Sequence, residues 1–435
     1  MKERKLKLSD NSTTSGAIRL DLEQYFKKDV RHVKKKLYGA SLTAVASTNL
    51  VFSFFHLYAV DLGSTPLTQS IITSQNQLGN TILQPYFGSQ SDQRGRRLYL
   101  MLGWGALAIT NFLIMLFQIL SLMTISLLLL ILIFQTVLGS AWIPAWTAYL
   151  GDITTKKTRG RFFGKITAIG TIFSIGLLLT VGKMMELVGG SHINQYILPF
   201  GVATLLLVIS CLFVWRLPET LQERNYQHVR PSIRKILREN PLFRKVITIN
   251  ACGMFAMSIM WPLFSFIYRD VVDITPTQLV LVSSAFTLAM AITQHWGGRM
   301  ADKIGRKPGL ILGRLILVLY PLLIAFSKTW TTIFVAEMCS GLGSGLITTL
   351  TSIAILDLTK GEAERGKFTA TSNFITGIVT FIGAFFSGVF TQVLAGTMGQ
   401  LTAVLFMLYI AVILRFVTAL LFFKIPETLI AANDS

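Results

Sequence analysis

"GSQSDQRGRR" occupies residues 88–97 and "GGRMADKIGRKP" residues 297–308, each breaking in straight after a long apolar run. Aligned, Asp92, Gly95, Arg96 and Arg97 match Asp302, Gly305, Arg306 and Lys307 at a constant offset of 210. Two further echoes keep nearly that spacing. "RGRF" at 159–162 matches "RGKF" at 365–368, each shortly after an acidic residue (Asp152, Asp357), and "RLPETL" at 216–221 matches "KIPETL" at 424–429. Three independent matches at almost one offset make the chain two related halves.

What fills the space between these phrases is apolar. Of 435 residues, 52% are hydrophobic and only 14% charged, and mean hydropathy is +0.58. A soluble domain carries nearer a quarter charged residues, so this composition cannot coat a water-soluble fold. Runs of about 20 apolar residues suffice to cross a bilayer as helices. Twelve spans are expected: 38–60, 67–88, 98–119, 122–150, 162–187, 194–215, 245–268, 277–297, 309–327, 330–355, 367–395 and 400–423.

A net charge of +19 raises nucleic acid as a partner, but its distribution argues against it. Eleven of the 40 Lys and Arg precede residue 37, and most others sit in alternate short loops. That is the positive-inside pattern, not one basic face, and it puts both termini in the cytoplasm, with the plasma membrane as the expected residence. The long polar stretch 217–244 separates a six-span bundle at 38–216 from another at 245–424. Residues 1–37 form a basic, amphipathic or solvated leading segment and 425–435 a cytoplasmic tail. Ile233, Ile236 and Leu237 suggest a surface helix in the central loop. Six spans return the chain to its starting side, so the halves are parallel repeats about an axis along the membrane normal. Cys211, Cys252 and Cys339 lie within apolar runs and offer neither a disulfide framework nor metal spacing.

These features resemble the major facilitator superfamily, whose signature after the second and eighth helices reads roughly G-x-x-x-D-x-x-G-R-[RK]. Gly88, Asp92, Gly95, Arg96 and Arg97 write it once, and Gly298, Asp302, Gly305, Arg306 and Lys307 write it again. The resemblance covers about 40–430. It implies an all-α membrane protein of twelve helices in two six-helix bundles, and a loop that clasps the halves on the cytoplasmic side when the protein is outward-open. Asp152 and Asp357 are then the partners of the loop cations. Without the family, the glycines permit tight reversals and the cations hold the loop in the cytoplasm. A purely topological anchor is the alternative to the clasp.

Polar groups inside spans are expensive and default to functional hypotheses. Asn49, Ser53 and His56 share one face of the first span; Gln135, Trp142 and Trp146 share a stripe of the fourth, and Asn250 and Trp261 one of the seventh. The family lines its central cavity with helices 1, 4, 7 and 10, so these are candidate substrate contacts; interhelical hydrogen bonding is the plainer reading. Glu337 and Arg415 lie deepest among the charges, either as a proton-coupling carboxylate with its partner or as a structural ion pair. Two exporter features are absent. Gln135 stands where proton-coupled drug exporters usually carry arginine, and "GTIFSIGLLLTVGKMM" lacks their G-P-x-x-G-G pattern.

With no catalytic pair, metal cluster or nucleotide fingerprint, neither an enzyme nor a cofactor is expected. The expected function is secondary transport of a small, neutral or amphipathic organic solute by alternating access, by a monomer, with protons as a coupling ion in the exporter variant. A lipid flippase or non-transporting sensor is the reading from another class. Cysteine labelling checks the topology: an impermeant maleimide should reach Lys360→Cys only from the cytoplasm and Thr397→Cys only from outside. Labelling of Lys360→Cys from outside would overturn it.

Overall fold

In hydrocarbon a backbone has to satisfy its own polar groups, which a helix does within one segment. The computed structural model describes residues 14–154, 159–188, 193–220, 233–359 and 362–428, without the side chains of 14–32, 34, 159–161, 298, 300–302, 304 and 362–366. The described residues hold no strand. The helices are α1 (Thr14–Asp61), α2 (Pro66–Arg94), α3 (Arg96–Ile119), α4 (Ile125–Gly139), α5 (Trp142–Asp152), α6 (Arg159–Val188) and α7 (Ile197–Trp215), then α8 (Ile233–Glu239), α9 (Pro241–Ser258), α10 (Phe264–Phe266), α11 (Pro276–Ile304), α12 (Arg306–Ala325), α13 (Trp330–Asp357), α14 (Glu362–Met398) and α15 (Gln400–Leu421). A single π-helical turn, Ile267–Val271, follows α10.

Ten of these segments are long and apolar enough to cross a membrane. The two expected spans outside that set have identifiable chemistry. Span 67–88 falls on α2, which is continuous but carries Gln75, Asn76, Gln77, Asn80 and Gln84. Span 245–268 falls on α9, α10 and the π turn, and is broken. Pro262 lacks the N–H that would reach the Ser258 carbonyl, and α9 stops at Ser258. The fourth span is interrupted too: α4 ends at Gly139 and α5 begins at Trp142, just ahead of Pro144, whose ring clashes with a continuing helix. The central-loop helix forms as α8, but Ile236 is buried with Phe243, Ile247, Ile355 and Phe368, so it packs on protein. In the leading segment, α1 runs unbroken from Thr14 into the span; residues 1–13 lie outside the described residues.

The packing is unequal at the two ends. We call the end holding residues 88–97 and 297–308 the basic end and its opposite the far end. At the far end one core joins both halves: Phe54, Tyr58, Ile114, Tyr196 and Phe200 share a cluster with Met260, Phe266, Tyr268, Ile324 and Leu408. At the basic end the cores are separate. Tyr99, Leu100, Trp104, Tyr149 and Leu217 form one within the first half, while Leu310, Leu317, Leu350 and Phe422 form another within the second.

Across the halves α2 lies along α14 and α6 along α11. Two glycines on α14 permit the first approach. A Cβ at Gly377 would strike the Thr81 side chain, and one at Gly388 would strike Ser70 and the Pro66 carbonyl. Gly388→Val should therefore lower the melting temperature through overpacking, typically about 1–3 kcal/mol. Gly396→Val, where a Cβ meets nothing within 4 Å, should leave it unchanged. Equal melting of the two variants in detergent would contradict the tight crossing.

Candidate functional site

Each half carries the same clasp at the basic end, one that closes on its own half rather than joining the two as the resemblance implies. Gly95 (φ +110°) and Gly305 (φ +93°) turn the chain through conformations that disfavour other residues, and α3 and α12 start immediately after them. The first backbone N–H groups of such helices have no partner within the helix. Glu219 supplies one: its two carboxylate oxygens accept from the N–H of Arg96 and of Arg97, both at 3.0 Å. Glu427 does the same for Arg306 at 2.9 Å and Lys307 at 3.1 Å. A carboxylate at a helix N-terminus also meets the positive end of the helix dipole.

The side chains complete each clasp. The Arg96 guanidinium contacts Asp152, pairs with Asp92 at 3.2 Å and donates to the Ala148 carbonyl at 2.6 Å. Arg306 Nε pairs with Asp357 at 3.0 Å. Thr220 Oγ1 donates to Asp152 at 2.9 Å and Thr428 Oγ1 to Asp357 at 3.2 Å. The sequence reading named Asp152 and Asp357, and here they stand beside the expected arginines. It missed the P-E-T residues, whose repetition it used only as evidence of duplication. Gly88 lies on α2 against Pro144. Gly298 lies on α11, and the Asp302 side chain is among those not described. All of these contacts stay within one half.

The far end joins the halves through charge. Arg269 Nε in the second half lies 2.6 Å from Asp61 Oδ1 in the first, and Nη1 lies 2.7 Å from Asp273. Tyr196 donates its hydroxyl to Asp61 Oδ2 at 2.8 Å. Nearby, Glu186 at the end of α6 accepts the Thr277 N–H at 3.1 Å, capping the first turn of α11 in the other half. None of these residues was singled out from the sequence. Asp61 and Arg269 sit 208 positions apart in two short linkers, and nothing in one sequence pairs them.

Between the two ends lie the deep charges. Glu337 Oε1 on α13 accepts both the Tyr268 and the Tyr320 hydroxyl, each at 2.7 Å. Arg415 forms no ion pair with it among the described residues. Its Nη2 donates to the Met257 carbonyl at 3.0 Å and Nη1 to that of Leu317 at 2.9 Å. Met257 is at the last turn of α9, where the break leaves carbonyls without helical partners and where a cation is favoured. Arg415 thus answers the broken helix. Arg314 is equally buried, with Nη2 donating to Asn250 Oδ1 at 2.9 Å and its guanidinium over the Phe422 ring.

The proposed cavity residues divide. Asn49, Ser53 and His56 are half-buried on one face of α1, with His56 Nδ1 at 3.2 Å from Gln69 Oε1 and its ring against Phe264. Gln135 and Trp261 are half-buried as well. Trp142 and Trp146 pack on Trp104 of α3. Asn250 is buried and faces Arg314 inside its own half, because the polar stripe of α9 points at α12.

A helical, multi-pass membrane protein with twice-written clasps defines a class, and the comparisons identify it. The Major Facilitator Superfamily model matches residues 37–273 and 246–435; the chain belongs to that superfamily of transporters. An uncharacterized MFS-type transporter of Methanocaldococcus jannaschii is 23% identical over 368 residues, covering 81% of this chain and 90% of that one. Multidrug resistance protein MdtL of Vibrio parahaemolyticus is 33% identical over 106 residues, only 24% of this chain and 26% of that one. Among solved structures, a mutant of the nucleoside transporter NupG superposes with a TM-score of 0.73 at 14% identity, covering 89% of this chain and 99% of that one. That likeness is one of fold.

Removing the clasp's charge tests its role. Glu219→Gln keeps the shape but loses one backbone bond and the charge at the helix end, and should destabilise by about 1 kcal/mol. Glu427→Gln should do the same, and the double variant should show the sum, since the sites lie in different halves. Unchanged thermal melts in all three would contradict the clasp.

Proposed function

We propose that this protein is a secondary transporter that moves a small, neutral or amphipathic organic solute by alternating access, and that the described geometry is its inward-open state. One observation carries the reading: a single apolar core joins the halves at the far end, while the basic end keeps separate cores. The positive-inside pattern supports a cytoplasmic basic end with both termini inside, and the plasma membrane is the proposed residence. The half-buried Asn49, Ser53, His56, Gln135 and Trp261 supply amide, hydroxyl, imidazole and indole groups, suited to neutral solutes. In the outward-open state the loops at 88–97 and 297–308 would meet across the closed basic end, exchanging some within-half contacts for contacts between halves.

A second reading, proton-coupled export of drugs or metabolites, has its own support. Glu337 is a carboxylate deep in the second half, held by tyrosine hydroxyls and in no ion pair among the described residues, the setting in which a proton can be taken up and released. The local likeness to MdtL points the same way.

Solute counterflow in liposomes decides between transport and a sensing role: a sensor shows none, and a flippase moves labelled lipid instead. For proton coupling, Glu337→Gln should abolish uphill accumulation and leave downhill exchange within about threefold of the parent. Uphill accumulation in that variant would remove Glu337 as the coupling site, leaving uniport or a different ion.

A further inference from the structure

The broken seventh span ends in a feature whose two neighbouring residues face different partners. In the π turn Ile267–Val271, the Val272 N–H reaches back to the Ile267 carbonyl at 3.1 Å, a five-residue step. Such turns are rare and recur at functional sites. Tyr268 points into its own half, where it donates to Glu337 Oε1 at 2.7 Å. Arg269, the next residue, points across to the first half and pairs with Asp61 at 2.6 Å. One peptide bond therefore separates the deep carboxylate's contact from the ion pair that closes the far end.

The turn is held on several sides. Tyr268 is 2% exposed and its ring lies 5.2 Å from that of Phe264, which lies 5.6 Å from His56 of the first half. The Ile274 N–H donates to the Tyr268 carbonyl at 3.0 Å. A displacement of the Tyr268 hydroxyl has little slack to absorb it before the Arg269 backbone moves. The groups facing Glu337 are Tyr268 from the π turn, Tyr320 from α12 and, farther off, Arg415 from α15. Those facing the ion pair are Tyr196, Asp270 and Asp273. A carboxylate accepts at both oxygens and can take two hydroxyls on one of them. A protonated carboxyl keeps a carbonyl oxygen that can accept both hydroxyls, but it has lost the charge that makes those bonds short and strong, so protonation loosens the hold on both tyrosines.

We propose that Tyr268 is the positioning residue through which Glu337 sets the far-end gate: it holds the turn on the carboxylate and thereby holds Arg269 on Asp61. Changing the Glu337 contact loosens the Asp61 pair, and the far end opens. This deepens the transport reading, and it rests on the proton reading of Glu337 only for its pH dependence.

The test uses the full chain in membranes, without Cys211, Cys252 and Cys339, with Ser53→Cys as reporter on α1 and an impermeant maleimide applied from the far side. Asp61→Asn should raise the labelling rate on the order of tenfold, within the usual range of coupling between sites. Tyr268→Phe should raise it comparably, and the double variant no further than the larger single. Tyr320→Phe removes a bond to the same oxygen but has no chain link to the gate, so it should stay within about twofold of the parent. Glu337→Gln weakens both tyrosine bonds by removing their charge and should raise labelling about threefold, again not adding to Asp61→Asn. This variant decides the matter if Tyr268→Phe fails to insert. Parental labelling in Tyr268→Phe or Glu337→Gln, rates that multiply with Asp61→Asn, or Tyr320→Phe equal to Tyr268→Phe would each overturn the proposal. The pH profile of solute exchange separates the two readings. If exchange is pH-independent in the parent while the labelling pattern holds, proton coupling falls and the gate linkage stands.

Discussion

A bilayer gives a charged side chain no water, so every charge carried into these helices has to be answered by protein, and the answers position everything else. Arg415 is answered by the Met257 carbonyl, at the break in the seventh span, and by the Leu317 carbonyl of α12. Glu337 is answered by two tyrosine hydroxyls, one of them on the far side of that same break. Arg314 takes an asparagine, a methionine sulfur and an aromatic face. Among the described residues only those near the ends meet opposite charges, and those pairs differ in kind. At the basic end they tie each half to itself, while at the far end Asp61 and Arg269 tie one half to the other.

That difference follows from the duplication. A clasp written once in an ancestral half is copied with its partners, so Glu219 with Arg96 and Glu427 with Arg306 recur with the same geometry. Contacts between halves cannot be copied in this way, because each joins two positions that have diverged. Asp61 has Arg269 as its counterpart at nearly the repeat offset, and the pair carries opposite signs where a strict copy would carry the same one. On the proposed alternating access, the interface that opens and closes is therefore the part with the least internal symmetry, and the two bundles move as intact units.

This also explains what could be read from the sequence. The fold was legible because hydropathy and a fixed repeat spacing are one-dimensional signals. The expected partners Asp152 and Asp357 lie beside the clasps for the same reason. Helix interruptions were less legible: Pro144 and Pro262 sit in apolar runs that still read as spans, whereas Pro85 and Pro321 lie inside helices that continue. Asn250 was placed on the cavity because a polar stripe does not reveal which neighbour it faces, and α9 turns it toward Arg314. The pairing of Asp61 with Arg269, and the tyrosines around Glu337, depend on chain segments brought together only by folding.

On this account two rigid halves rock about a far-end contact held by the Asp61–Arg269 pair. Pulsed electron-spin distance measurements in lipid test it most directly, with one label pair at Gln93 and Lys303 across the basic end and another at Ser121 and Thr397 across the far end. All four positions are exposed. In the parent protein the distances should match the described geometry. In Asp61→Asn a second population should appear, shorter across the basic end and longer across the far end, in equal proportion at both pairs. Distance distributions unchanged by Asp61→Asn, or a change at one end without the opposite change at the other, would contradict the account.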